Sequence, residues 1–377
     1  MGKIYSFIEG PDMDKKQKLL NLFNPESKDI LLSDFLAPRQ LRDEMAEYLQ
    51  VNTERELLDR LGTDFYYLSC RDISQNECCL KYYNGPPLFF SETERECPFG
   101  IRWHRKVGDD KFGVDEAITG PFSGENIRIE DIYKFNWPSP EQFDFSSLSK
   151  ECNDFSDKII VGGLWSAIQG DSSRMMGFEN FLLNIAMNRP LIKALVNHIT
   201  EIYLRLNRNY FEVVKGKMDI FFMGNDFGSQ NGLLLSEEDW FDIYFDNYKK
   251  LIDFAHSYGF RVMVHSCGSI EALIPYFIKL GVDILDPVQV TTKNMEPESL
   301  SLKYGKDMVF HGAIDTQKVL PFGTAAEVKN HCTELISKLN TYGNFIVAPS
   351  NNFMSGTPTR NIMTVYDTVK TLSLTHR

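Results

Sequence analysis

The segment Arg261-Val-Met-Val-His265-Ser-Cys267-Gly268-Ser269 closes an apolar run with a histidine and a cysteine two residues apart. In an extended strand, positions i and i+2 share a face, so the His265 imidazole and the Cys267 thiol are predicted to lie side by side. Imidazole and thiolate are donors that zinc prefers, and the pair supplies half of a soft metal site. The competing reading is a core histidine bonded to backbone and a small buried thiol ahead of a glycine turn.

Other polar groups follow other apolar runs in the same way. Asn225, Asp226, Ser229 and Gln230 follow Ile220–Met223, and Asp286 and Gln289 follow Ile284-Leu285. His311, Asp315 and Gln317 come after Val309-Phe310, Ser350, Asn351 and Asn352 after Ile346-Val347, and Trp165, Ser166 and Gln169 after Ile160-Val161. Carboxylates such as Asp226 and Asp315 suit proton transfer. Trp165, Gln230, Asp286, Gln289, Gln317 and Asn351 suit the binding and orientation of a substrate. The bland alternative is that these are ordinary loop residues, with Asp226 capping a turn and Asp286 preceding Pro287.

The elements that must position these groups are regular from Lys158 onward. Strands are predicted at Ile159–Gly163, Asp219–Gly224, Phe260–Ser266, Val282–Leu285, Met308–Gly312 and Asn344–Ala348. Between them run amphipathic helices: Leu191, Leu195, Val196, Ile199, Ile202 and Leu206 share one face after Pro190, and the segment 238–258 repeats the pattern before Gly259. Strands alternating with helices imply βα units and a parallel sheet. Short runs at Ile30–Leu32 and Asp64–Cys70 bring the strand count to eight, enough to close a (β/α)8 TIM barrel. No glycine-rich phosphate loop follows any strand, which disfavours an open doubly wound sheet. In a barrel, active-site residues gather at the C-terminal ends of the strands, where this ring of polar groups falls. Residues 1–150 have another texture, irregular and rich in proline, glycine, aromatics and charge, with a helical stretch at 41–61 and an extended connection at 127–148. We expect this part to hold the first strands, pack on the barrel and fold over its mouth, with 151–377 forming the main part of the barrel.

A chain of 377 residues, 43% of them hydrophobic, can bury a large core. The net charge of −12 argues against nucleic acid as a partner. No apolar run approaches the ~20 residues of a membrane span, and the first residues lack the pattern of a signal peptide. Seven scattered cysteines without a CxxC pair suit a reducing compartment, so a cytoplasmic location is expected.

The stretches DIFFMGNDFGSQNG (219–232), GFRVMVHSCGSI (259–270), GVDILDPVQ (281–289) and FHGAIDTQKVLPFGTAAEV (310–328) resemble the uroporphyrinogen decarboxylase superfamily, and most of all its corrinoid (cobalamin)-dependent methyltransferase branch. The likeness runs over roughly residues 155–370 and implies a (β/α)8 barrel. It also implies an enzyme acting on a small molecule, of one of two kinds. Metal-free decarboxylases of this superfamily carry an arginine motif near the N-terminus and a Gly-Pro-rich motif at the second or third strand, and neither has a counterpart here. In the methyltransferases, zinc is held by a His-x-Cys pair and a distant third cysteine, and activates a thiolate that receives a methyl group. His265 and Cys267 match the first two ligands. After the last strand the chain reads Pro349-Ser-Asn-Asn352, without the third cysteine. Asp226, Asp286, Asp315 and His311 are the candidates to replace it. The resemblance thus implies methyl transfer between a small methylated compound or a separate corrinoid protein and an acceptor. A metal-free decarboxylase and a non-catalytic ligand-binding barrel are the alternatives.

Overall fold

The structure is a computed structural model that describes residues 14–24, 31–73, 77–107 and 113–375. In chain order its strands are β1 (Leu32–Ser33), β2 (Phe65–Tyr67), β3 (Glu94–Glu96), β4 (Arg102–Val107), β5 (Gly113–Thr119), β6 (Ile159–Gly162), β7 (Ile220–Gly224), β8 (Arg261–His265), β9 (Ile284–Val288), β10 (Val309–Ile314) and β11 (Phe345–Pro349). Eight of them form one parallel sheet in the order β1-β11-β10-β9-β8-β7-β6-β2. The ends of that sheet meet through Asp64, whose N–H donates to the Ser33 carbonyl at 3.0 Å and whose side chain accepts from the Ser33 N–H. Helices surround the sheet, and the result is the expected α/β barrel. Among the described residues, no helix is long and apolar enough to cross a membrane.

Side chains alternate along each strand, and the inward set can be read directly. Leu32, Phe65, Ile159, Ile220, Met263, Ile284, Val309 and Ile346, one from each strand, belong to a single apolar cluster inside the barrel. Two residues further along stand Asp34, Tyr67, Val161, Phe222, His265, Asp286, His311 and Ala348. The first belt is the ordinary branched apolar filling of such a barrel. The second is polar over most of one side.

The first 150 residues contribute β1 and β2. They also build an antiparallel sheet, β3-β4-β5, that the sequence pattern does not announce. Trp103 of β4 is buried and lies beneath the guanidinium groups of Arg95 and Arg174. Arg174 belongs to the helix Ile168–Met176, so the small sheet braces a helix at the barrel mouth. The expected helix at 41–61 is two, Arg39–Leu49 and Glu54–Leu61, because Gln50 turns left-handed and Thr53 starts the second with a capping box. The segment 127–148 is likewise not simply extended, since it contains the helix Ile129–Lys134. Ile30, part of the first expected strand, lies outside the described residues.

Candidate metal centre

His265 is the last residue of β8, and Asp226 and Cys267 sit in the loops that follow β7 and β8. Those loops are fastened to each other by backbone N–H donors. The Cys267 N–H donates to Asp226 Oδ1 at 3.0 Å, the Phe227 N–H to Ser266 Oγ at 3.0 Å, and the Ser269 N–H to the Ser229 carbonyl at 2.8 Å. At the crossing point Gly268 has φ +93°, and a Cβ there would stand 2.5 Å from the Gly228 carbonyl carbon. Only glycine allows both that conformation and that approach.

This fastening brings three donor atoms together. His265 Nε2 lies 3.4 Å from Cys267 Sγ and 3.3 Å from Asp226 Oδ1, and the three lie within 4.8 Å of one another. A tetrahedral zinc with bonds of about 2.0–2.3 Å holds its donors about 3.3–3.6 Å apart, so the two spans from His265 already fit. Among the described residues, no other three such side chains converge in this way. Of the candidates for a third donor, it is Asp226, from the loop after β7, that stands beside His265 and Cys267. The segment after β11 also reaches the site, where Asn351 Nδ2 donates to Cys267 Sγ at 3.3 Å. A histidine, a thiol and a carboxylate would, around a tetrahedral ion, leave a fourth position open.

Asp286 orients the histidine. It is buried and its Oδ2 accepts from His265 Nδ1–H at 2.6 Å, leaving Nε2 toward Cys267 and Asp226. Burial drives the Asp286 carboxyl upward, but the charges and hydrogen bonds of His311 and His265 outweigh it and hold it well below the usual carboxylate range. Burial likewise lowers His265, and its bonds to Asp226, Asp286 and Cys267 raise it well above the ordinary histidine range. For Asp226, whose side chain stays accessible, the local desolvation is overcome by His265 and the Cys267 amide, and the carboxyl is held down to about 2.

A cavity of about 560 Å³ opens beside these residues, with Trp165, Asp226 and His265 at its inner end and Arg71, Asp72 and Arg174 along its wall. The Trp165 ring centre stands 5.2 Å from that of His265. Asn225, two residues beyond Met223, ties the wall to β7: its Oδ1 accepts from the Gly170 N–H and its Nδ2 donates to the Tyr248 hydroxyl.

Of the residues singled out from the sequence, the structure unites Asp226, His265, Cys267, Asp286, Trp165 and Asn351. Gln289 supports them from behind, accepting from the Gly268 N–H at 2.8 Å. Gln230 holds a neighbouring loop through the Thr291 carbonyl. Asp315 is occupied elsewhere: it is buried, and its Oδ1 accepts the Gln317 and Lys318 N–H groups in a turn. Gln317 points to solvent there, and neither it nor Asp315 lines the cavity. Asp34, Arg71 and Asp72 were missed, although they too follow short strands. The rule of looking past each apolar run finds them once β1 and β2 are included.

A model of the uroporphyrinogen decarboxylase family matches residues 115–372, and the chain belongs to this family of enzymes. A methyltransferase from Methanosarcina mazei shares its fold at a TM-score of 0.62, with 14% sequence identity over 96% of this chain and 99% of the other. A dihydropteroate synthase from Anaplasma phagocytophilum is far more distant, with a TM-score of 0.33 and 14% identity over 48% of this chain and 69% of that one. A search of curated proteins by sequence finds no match.

Proposed function

We propose that the protein is a zinc-dependent methyltransferase of the uroporphyrinogen decarboxylase family. It would move a methyl group between a small methylated compound, or a corrinoid protein, and a thiol acceptor. The observation that carries this reading is the donor set Asp226, His265 and Cys267 gathered beside a cavity, with both spans from His265 suited to a tetrahedral ion. These three residues would hold the ion, which supplies a Lewis acid that lowers the pKa of a bound thiol. Asp286 fixes the tautomer of His265 so that Nε2 is the ligating nitrogen. Trp165 and the wall around Gln169 and Arg174 position the substrate, and Asn351 donates a hydrogen bond to the Cys267 sulfur, which tempers its charge. Asp315 takes no part in this scheme.

The test is zinc stoichiometry and affinity, measured by chelator competition on protein purified without chelator. Near one equivalent is expected in the wild type. His265→Ala and Cys267→Ser should each fall below about 0.2 equivalents under the same competition, since each leaves only two protein donors. Asp226→Asn should retain the ion more weakly. A folded wild type that binds no zinc, and that releases carbon dioxide from a carboxylic acid regardless of Cys267→Ser, would replace this reading with the metal-free decarboxylase.

A further inference from the structure

The polar part of the second inner belt is one continuous row of hydrogen bonds across five strands. His265 Nδ1 meets Asp286 Oδ2 at 2.6 Å, and Asp286 Oδ1 meets His311 Nδ1 at 2.6 Å. His311 Nε2 meets Asp34 Oδ2 at 3.0 Å, and the Tyr67 hydroxyl donates to the same oxygen at 2.6 Å. Asp34, Asp286 and His311 are all buried. Such groups are costly inside a barrel unless each is matched.

Every contact of the two imidazoles in this row pairs a ring nitrogen with a carboxylate oxygen. Both ring nitrogens of His311 face aspartate oxygens, so both carry hydrogen and the ring is cationic. The His265 Nδ1 faces an aspartate oxygen as well, so it also donates. His311 belongs to no ligand set and touches neither Cys267 nor Asp226. Its position between the two acids nevertheless determines where Asp286 points.

We propose that His311 is a positioning residue: as an imidazolium clamped between Asp34 and Asp286, it holds Asp286 in the orientation that keeps His265 Nδ1 protonated and presents Nε2 to the metal. This rests on the metal reading above, and it adds an element to the site that lies on the far side of Asp286, anchored by β1 and β2.

Two readouts test it. The first is the imidazole nitrogen shifts of His265 in metal-free protein labelled with 15N-histidine, its signal assigned among the seven histidines by loss in His265→Ala. The wild type should show an Nδ1–H held in a short bond to Asp286, its signal shifted downfield, and His311→Leu should move that signal upfield as the bond loosens. The second is zinc affinity, expected to fall about tenfold in His311→Leu, the size of a lost supporting contact to a metal-bound histidine. His311→Asn, which can still donate to Asp286, should recover most of it. If His311→Leu does not fold, Asp34→Asn removes the outer anchor and should move both readouts in the same direction. A folded variant with lower thermal stability but unchanged shifts and unchanged affinity would show a purely structural role and overturn the proposal. A wild type that binds no zinc but shows the shift change would overturn the metal reading and leave the positional claim standing.

Discussion

Asp286→Asn is the most informative single change, because Asp286 hydrogen-bonds both His265 and the buried His311. The carboxylate accepts from His265 and His311 at 2.6 Å on its two oxygens, and it is 2% exposed. The substitution preserves shape but removes a charge and presents an amide N–H to one of two ring N–H groups. Removing one partner of a buried ion pair costs about 3–5 kcal/mol, because the remaining charge stays buried and unmatched. At about 2.1 cal/mol/K per residue, a chain of this length has an unfolding entropy near 0.8 kcal/mol/K, so the midpoint should drop by roughly 5 °C. Zinc affinity should fall about 10- to 100-fold in parallel, through the lost orientation of His265. Thermal unfolding followed by circular dichroism at neutral pH, together with chelator competition well below the midpoint, measures both. A variant that melts within a degree of the wild type and binds zinc equally well would refute the reasoning that this carboxylate is structurally and chemically central.

Three further outcomes are expected. Burial lowers His311, but Asp286 and Asp34 raise it to about 9 from an ordinary 6.5; its stabilisation of metal-free protein is therefore complete below pH 6.5 and lost as pH rises toward 9. For His311 alone this amounts to roughly 3 kcal/mol, readable from urea unfolding at the two ends of that range and absent in His311→Leu. Gly268→Ala should destabilise by about 3 kcal/mol or more, since the added Cβ meets the Gly228 backbone at a left-handed φ; urea unfolding checks it, with zinc binding lost alongside. Asn225→Ala strips partners from the Gly170 N–H and the Tyr248 hydroxyl and should cost about 2–3 kcal/mol, with faster hydrogen exchange confined first to the helix Ile168–Met176.

Much of the barrel can be read from the chain because its strands after Lys158 are short apolar runs separated by long amphipathic helices. The strand β1 is only two residues, too short for any periodicity, and is recognised by where it pairs. The sheet β3-β5 escapes for a different reason. Its strands, such as Arg102–Val107, are mostly polar and pair locally over the mouth, so no apolar alternation marks them. The His265/Cys267 pair is visible because strand geometry alone relates i to i+2. Asp226 becomes a donor only through the contact of two loops that are 41 residues apart. Nothing in the spacing of carboxylates separates it from Asp315, which stands in a similar place after its own strand and is consumed by a turn.

On the zinc reading proposed above, the meeting of Gly228 and Gly268 would bear on the speed of metal uptake. With two backbones in contact and three hydrogen bonds across the seam, the donors of β7 and β8 arrive as a single stiff unit before any ion does. Little conformational freedom is left for the ion to remove, so its entry is governed by shedding its own water and not by loop ordering. Metal-free and metal-loaded protein should then protect the amides of 226–228 and 266–269 from hydrogen exchange almost equally, as expected of a socket that folds once and is filled afterwards.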